Sequence, residues 1–321
     1  MNTSQLTVRV ARKTVEAADI CAYELIHADG GPLPAFAAGS HIDVHLAGGL
    51  TRQYSLCNDP AEQHRYLIAV LRDAASRGGS RAMHEMVREG DTLQISPPRN
   101  HFALAHGGRR SLLLAGGIGV TPLLCMAERL ATMGGAFEMH YCTRSRDRTA
   151  FLQRISASAF ASQVHFHFDD GDASQKLELE RILAAPEEGV HLYVCGPKGF
   201  MDAVLNHARA RGWPDQQVHY EFFSAGETKS AGDRAFTVKL ASSGRVVTIP
   251  GERSVVEALA DVGIQIPISC QQGVCGTCLT RVLEGEPEHR DLYLSPEEQA
   301  KNDQFTPCCS RAKSACLVLD L

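Results

Sequence analysis

The chain has 321 residues, 44% of them hydrophobic and 21% charged, with a net charge of −5. One hydrophobic core does not serve that length, so two or three domains are expected. The mild acidity and the lack of any Lys/Arg run argue against a nucleic-acid binder, and no apolar stretch reaches the roughly 18 residues that span a membrane.

The opening residues, MNTSQLTVRVARK, are charged and lack an apolar core, so no signal peptide is expected and the eleven cysteines fit a reducing cytoplasm. Five of them, Cys21, Cys57, Cys125, Cys142 and Cys316, read as small buried hydrophobes. Residues 1–103 carry short alternating strands at 6–10, 41–46 and 66–71, separated by Gly30-Gly31 and Gly48-Gly49. That pattern predicts a small antiparallel barrel. A helix is predicted over 80–89, closed by Gly90. Arg52-x-Tyr54-Ser55-Leu56 offers a guanidinium for a phosphate, a ring to lie on a flat ligand and a hydroxyl for a ring nitrogen. An ordinary strand with alternating faces reads the same way. Gly78, Gly79 and Ser80 open the predicted helix, a place suited to an anion.

From about 104 to 225 strands alternate with helices. The apolar run 111–115 leads into Gly116-Gly117-Ile118-Gly119-Val120-Thr121-Pro122 and a helix over 123–133 stopped by Gly134. Thr121 is placed as N-cap and Pro122 as the first helical residue. The same grammar returns as a strand at 190–195, the turn Cys195-Gly196-Pro197 and a helix closed by Gly212. A parallel α/β sheet follows, with both turns at its carboxyl edge, where such sheets bind ligands. Gly116, Gly117 and Gly119 would let amides approach a pyrophosphate, although the spacing is not the Rossmann fingerprint G-x-G-x-x-G. His165-x-His167 is read as a surface strand face, not a metal site.

Residues 226–234 are small and polar and read as a linker. The remainder, 235–321, shows strands at 236–240 and 245–249, then a helix with a Ser254/Glu257 capping box stopped by Gly263. The cysteine pattern comes next: Cys270-x4-Cys275-x2-Cys278, with Cys308 thirty positions on. This is the plant-type spacing for a [2Fe–2S] cluster, and it contains only one of the two C-x2-C pairs usual for four-thiolate zinc. The adjacent Cys308 and Cys309 leave the fourth ligand open, with Cys308 the better match in interval.

Taken together, Arg52-Gln53-Tyr54-Ser55-Leu56, Ser76-Arg77-Gly78-Gly79-Ser80, residues 115–122, Cys195-Gly196-Pro197, the cysteine loop and the ending 310–321 resemble the phthalate dioxygenase reductase family from end to end. The doubled cysteine at 308–309 is the one departure. The resemblance implies a multidomain protein: an FMN-binding antiparallel β-barrel at 1–103, an NAD-binding parallel α/β domain at 104–225, a linker at 226–234 and a β-grasp ferredoxin-like domain at 235–321. It implies that Arg52, Tyr54 and Ser55 hold the flavin, that Gly78, Gly79 and Ser80 receive its phosphate, and that Thr121 reaches the flavin side. Gly117, Cys195 and Pro197 would line the nicotinamide path, and Phe223 would shield the flavin. Cys270, Cys275, Cys278 and Cys308 would hold the cluster. NADH is implied over NADPH, although Arg144, where the adenosine ribose should sit, could favour a 2′-phosphate.

A nicotinamide surrenders two electrons together and a [2Fe–2S] centre accepts one, so a flavin that converts between the two must stand between them. The implied route is NADH to FMN to cluster to a separate Rieske-type terminal oxygenase, because no 2-His-1-carboxylate iron site is legible in the chain. Two other readings are an FAD-containing reductase of a ferredoxin or diiron hydroxylase, and a redox-sensing protein.

Overall fold

The computed structural model describes residues 5–74, 78–224 and 232–321. It divides into two compact units, one up to Glu221 and one from Phe222 onward. The predicted linker falls largely outside the described residues, as do Ser76 and Arg77.

The first unit opens with seven antiparallel strands: β1 (Leu6–Ala17), β2 (Ile20–His27), β3 (Ser40–Leu46), β4 (Leu50–Ser55), β5 (Tyr66–Leu71), β6 (Thr92–Ile95) and β7 (Arg99–Asn100). Their order is β4-β3-β6-β1-β2-β5, with β7 on β3, and a bridge from Leu56 to Ile68 brings the two ends of the sheet together. The enclosed core is aliphatic and aromatic, with Val8, Tyr23, Leu25, Ile42, Val44, Leu56, Tyr66 and Ile68 fully buried. Helix α1 (Gly79–Glu85) ends four residues before the predicted stop. The cause is non-local: the Lys13 ammonium donates to the carbonyls of His84 (2.6 Å) and Val87 (2.8 Å), satisfying the helix end early.

A parallel sheet follows in the order β10-β9-β8-β11-β12, built from β8 (Arg110–Gly116), β9 (Ala136–Thr143), β10 (Val164–Phe168), β11 (Val190–Cys195) and β12 (Val218–Glu221). Helices α2 (Val120–Met133), α3 (Leu152–Ser156), α4 (Leu179–Ile182) and α5 (Lys198–Ala210) connect its strands. The sequence order reverses between β8 and β11, so the crevice at their carboxyl ends is the topological switch point. Thr121 does not cap α2. The glycine turn itself winds as a 3₁₀ segment, Gly119 becomes the cap, and Thr121 lies inside the helix.

In the second unit β13 (Phe236–Leu240) and β14 (Val246–Ile249) form a hairpin, and the predicted capping box opens α6 (Val255–Asp261). After the cysteine loop come β15 (Thr280–Glu284), β16 (Pro287–Glu288), α7 (Pro296–Gln299), β17 (Gln304–Phe305), β18 (Arg311–Ala312) and β19 (Cys316–Leu319). The sheet order is β14-β13-β19-β15-β17, with β13 and β19 parallel. Cys278, Cys308 and Cys309 pack into its core beside Phe305 and Leu317. Arg311 is a buried anchor, donating to the carbonyls of Arg234, Pro250 and Arg253. Cys21, Cys57 and Cys125 are buried as predicted, whereas Cys142 and Cys316 are half-buried because their strands leave one face partly open.

Candidate functional site

On the barrel, Arg52 and Tyr54 share the strand face paired with Val44 and Ile42. Tyr54 is half-buried against the barrel core, and burial raises its phenol above the ordinary range. The Arg52 side chain crosses directly over Gly79, where an added Cβ would lie 2.5 Å from it. Gly78 takes φ +93, which favours glycine, and Ser80 Oγ accepts from the Asp73 amide at 3.2 Å. The fold therefore joins two motifs that lie 26 positions apart in sequence (Arg52 to Gly78) into one cradle with a cation on its rim.

The two glycine turns of the parallel sheet meet at the switch point. A Cβ on Gly119 would stand 2.3 Å from the Cys195 carbonyl oxygen, and one on Gly116 would stand 2.8–2.9 Å from Phe200 and Pro197. Gly196 faces Gly116 with equally little room. These three glycines let the turns close on each other. Gly117 differs: its φ is +52 and nothing lies within 4 Å of where its side chain would be, so its backbone faces open space. The N-termini of α2 and α5 lie at the ends of these turns, which favours a pyrophosphate there. Thr121 is buried, and its hydroxyl donates to the Ile118 carbonyl at 3.1 Å.

One residue without an assigned role joins this site. Glu221 ends β12 beside Cys195, and its carboxyl accepts a hydrogen bond from the Ser55 hydroxyl at 3.2 Å. Burial pushes its pKa up to about 7, against the Ser55 contact, which lowers it. Cys195 is fully buried, and burial plus the neighbouring carboxyl raise its thiol far above the ordinary range. Ser55 on the barrel and Cys195 and Glu221 on the sheet thus form one polar cluster within the first unit. Because the folded pKa of Glu221 is raised, the protein is favoured while the carboxyl stays protonated and loses that margin as pH climbs from about 4.5 through 7. Allowing for partial exposure, the loss is roughly 2 kcal/mol. Glu221→Gln should therefore match the parent in denaturant unfolding at the acid end of this window and exceed it at pH 8.5. Parallel stability curves would remove this placement of the proton.

Phe223 is half-buried just after β12. On β10 the histidines are not simply a surface face. His165 is half-exposed, but His167 is hydrogen-bonded to His140 at 2.9 Å and to the Gln175 carbonyl at 2.7 Å.

In the cysteine loop Gln271, Gly273 and Gly276 take positive φ, which coils the chain tightly between the cysteines. The Gln272 amide donates to Cys270 Sγ at 3.2 Å. The thiols of Cys275 and Cys308 also bond Cys270 and hold it far below the ordinary thiol range, while donating raises Cys275 and Cys308 themselves. Cys308 reaches Cys278 as well. Cys309 meets the Thr306 hydroxyl at 3.2 Å and also bonds the Cys308 thiol, its sulfur lying beneath Gly273. Four thiols, Cys270, Cys275, Cys278 and Cys308, thus converge. Among the described residues no three His, Cys, Asp or Glu side chains close on a single ion.

Residues 238–313 match the family described as 2Fe-2S iron-sulfur cluster binding domain, and residues 92–218 match the family described as the N-terminal domain of dimethylamine monooxygenase subunit DmmA-like proteins. The chain is 55% identical over 316 residues to a vanillate O-demethylase oxidoreductase of Pseudomonas sp. strain HR199, covering 98% of this chain and 100% of that protein. It is 41% identical over 317 residues to a phthalate dioxygenase reductase of Burkholderia cepacia, covering 98% and 97%. A solved phthalate dioxygenase reductase, described as a modular structure for electron transfer from pyridine nucleotides to [2Fe-2S], superimposes with a TM-score of 0.84 at 40% identity, over 99% of this chain and 98% of that one.

Proposed function

The chain belongs to the phthalate dioxygenase reductase family, and from that membership we propose that it is an NADH-dependent iron–sulfur flavoprotein serving a partner Rieske-type terminal oxygenase in the cytoplasm. The observation that carries the reading is the pairing of two sites in one chain: a two-turn nucleotide crevice in the first unit and four convergent thiols in the second. Bound FMN would supply the exchange between paired and single electrons. The domain boundaries proposed are 1–103 for flavin, 104–225 for nucleotide and 235–321 for the cluster, joined by 226–234.

In this reading the Arg52 guanidinium and the Gly78–Gly79–Ser80 cradle hold the flavin phosphate, and Tyr54 lies along the ring. Ser55 presents its hydroxyl to the ring edge, with Glu221 behind it as the proton-holding group. Gly117 offers its backbone to the nucleotide. Gly116, Gly119, Gly196 and Pro197 keep the two turns together, Cys195 sits beneath the nicotinamide path, and Phe223 covers the flavin. Thr121 acts from within its helix by fixing the turn through Ile118. Cys270, Cys275, Cys278 and Cys308 take the cluster, with Cys309 as packing. The donor set fits a [2Fe–2S] cluster better than zinc, because the four thiols follow the C-x4-C-x2-C spacing with a distant fourth cysteine and contain one C-x2-C pair where four-thiolate zinc sites usually have two.

Acid extraction of the purified chain should release FMN, about one per chain, and Arg52→Ala should retain roughly tenfold less or lower, the scale of a lost charge-assisted phosphate contact. Recovery of FAD would favour the ferredoxin or diiron alternative, and undiminished flavin in the variant would remove Arg52 from the cradle.

A further inference from the structure

We propose that Asp291 is a positioning residue for the iron–sulfur site, tying the loop of Cys270, Cys275 and Cys278 to the segment of Cys308 and setting a fixed negative charge beside them. The inference rests on the iron–sulfur reading above.

Asp291 is neither a ligand nor near one in sequence, yet its side chain is wholly shielded from solvent. Burying a carboxylate is expensive unless donors surround it, and an apolar residue would fill the space at lower cost. Two donors meet it. One oxygen accepts from the Leu294 amide at 2.8 Å, the other from the Ser310 hydroxyl at 3.3 Å, and His289 Nδ1 stands 3.6 Å from that second oxygen.

The contacts run to both ligand segments. Toward the loop, the next residue's amide, Leu292 N, donates to the Gly273 carbonyl at 2.9 Å, and a Cβ on Gly273 would lie 3.1 Å from the Asp291 Cα. Gly273 sits between ligands Cys270 and Cys275. Toward the fourth ligand, the Ser310 hydroxyl also accepts from the Arg290 amide at 3.1 Å and lies 3.1 Å from the Thr306 hydroxyl. Thr306 and Ser310 bracket Cys308, and the Thr306 hydroxyl holds the neighbouring Cys309 at 3.2 Å. Partners of this kind fix ligand orientation and set the electron affinity of a centre.

The test compares Asp291→Asn, Asp291→Glu and Ser310→Ala with the parent in the full chain carrying its cluster. Two quantities are followed: the rate of cluster loss to an anaerobic chelator, and the midpoint potential with the electron paramagnetic resonance (EPR) line shape of the reduced cluster. Asp291→Asn should lose its cluster at least about tenfold faster, as with other outer-sphere partners of metal ligands. Its potential should move positive, and Asp291→Glu should bring the potential back toward the parent. Ser310→Ala should also lose the cluster faster while its potential moves less, because the charge remains. Parent-like potential, line shape and loss rate in Asp291→Asn would overturn the proposal. Should that variant not fold, an unchanged loss rate in Ser310→Ala would overturn it instead. A parent chain holding zinc would defeat the iron–sulfur reading itself, a result separable from unchanged variants of an iron-loaded parent.

Discussion

Cys275→Ser should abolish the cluster's visible absorbance and cut NADH-driven cytochrome c reduction at least about a hundredfold, while NADH still bleaches the flavin. The direction follows from the donor set. Cys275 shares its thiol with Cys270 in a loop whose positive-φ residues are already coiled for binding, and a serine hydroxyl is a poorer partner for iron than a thiolate. Apart from Phe223, the proposed flavin and nucleotide residues belong to a separate compact unit, so their half of the reaction should survive. Because an iron–sulfur centre contributes to folding as well as chemistry, the second unit should also melt at lower temperature, with the first little changed. Cytochrome c reduction at the parent's rate would mean that electrons leave from the flavin, and the linear route would be wrong.

Gly119→Ala should be the most damaging single methyl in the two glycine turns. The new Cβ would meet the Cys195 carbonyl oxygen at 2.3 Å, its carbon at 2.4 Å and the Gly196 amide nitrogen at 2.6 Å. All three are backbone atoms of the neighbouring turn, held by the β8–β11 register, so no side-chain rotation relieves the clash. A loss of about 3 kcal/mol or more is expected, at the upper end of overpacking effects, with weaker NADH binding because the crevice opens. Gly117→Ala is the informative contrast. Its methyl meets no protein atom, and its φ of +52 should cost only about 1–2 kcal/mol. There the rise in KM for NADH should exceed what the modest stability loss would suggest. Equal stability in the two variants by denaturant unfolding would refute the division of labour between the packing glycines and the open one.

The outline of the protein was legible because its chemistry imposes local spacing. The cysteine loop, the repeated strand–glycine turn–helix grammar and the Ser254/Glu257 capping box each involve residues a few positions apart, and each yields a physical requirement on its own. What escaped the sequence was non-local. The end of α1 is set by Lys13, 71 positions from His84. Glu221 joins the site through a bond to Ser55 spanning 166 positions, and the only local sign was its place at the end of a strand on the sheet's carboxyl edge. Spacing favoured Cys308 over Cys309 as the fourth thiol but could not show their surroundings: Cys308 reaches Cys270 and Cys278, whereas Cys309 meets the Thr306 hydroxyl and Cys308. Thr121 differs for the opposite reason: the local capping rule points to it, but the glycine turn has already begun the helix two residues earlier, at Gly119.

The central claim is that electrons arrive in pairs through the first unit and depart singly through four sulfurs of the second. Anaerobic stopped-flow mixing of the purified chain with NADH, recorded across the visible spectrum, tests it most directly. Flavin bleaching should come first and cluster bleaching second, the second phase vanishing in Cys275→Ser. A flavin that bleaches while an intact cluster stays oxidised, or a cluster reduced ahead of the flavin, would contradict it.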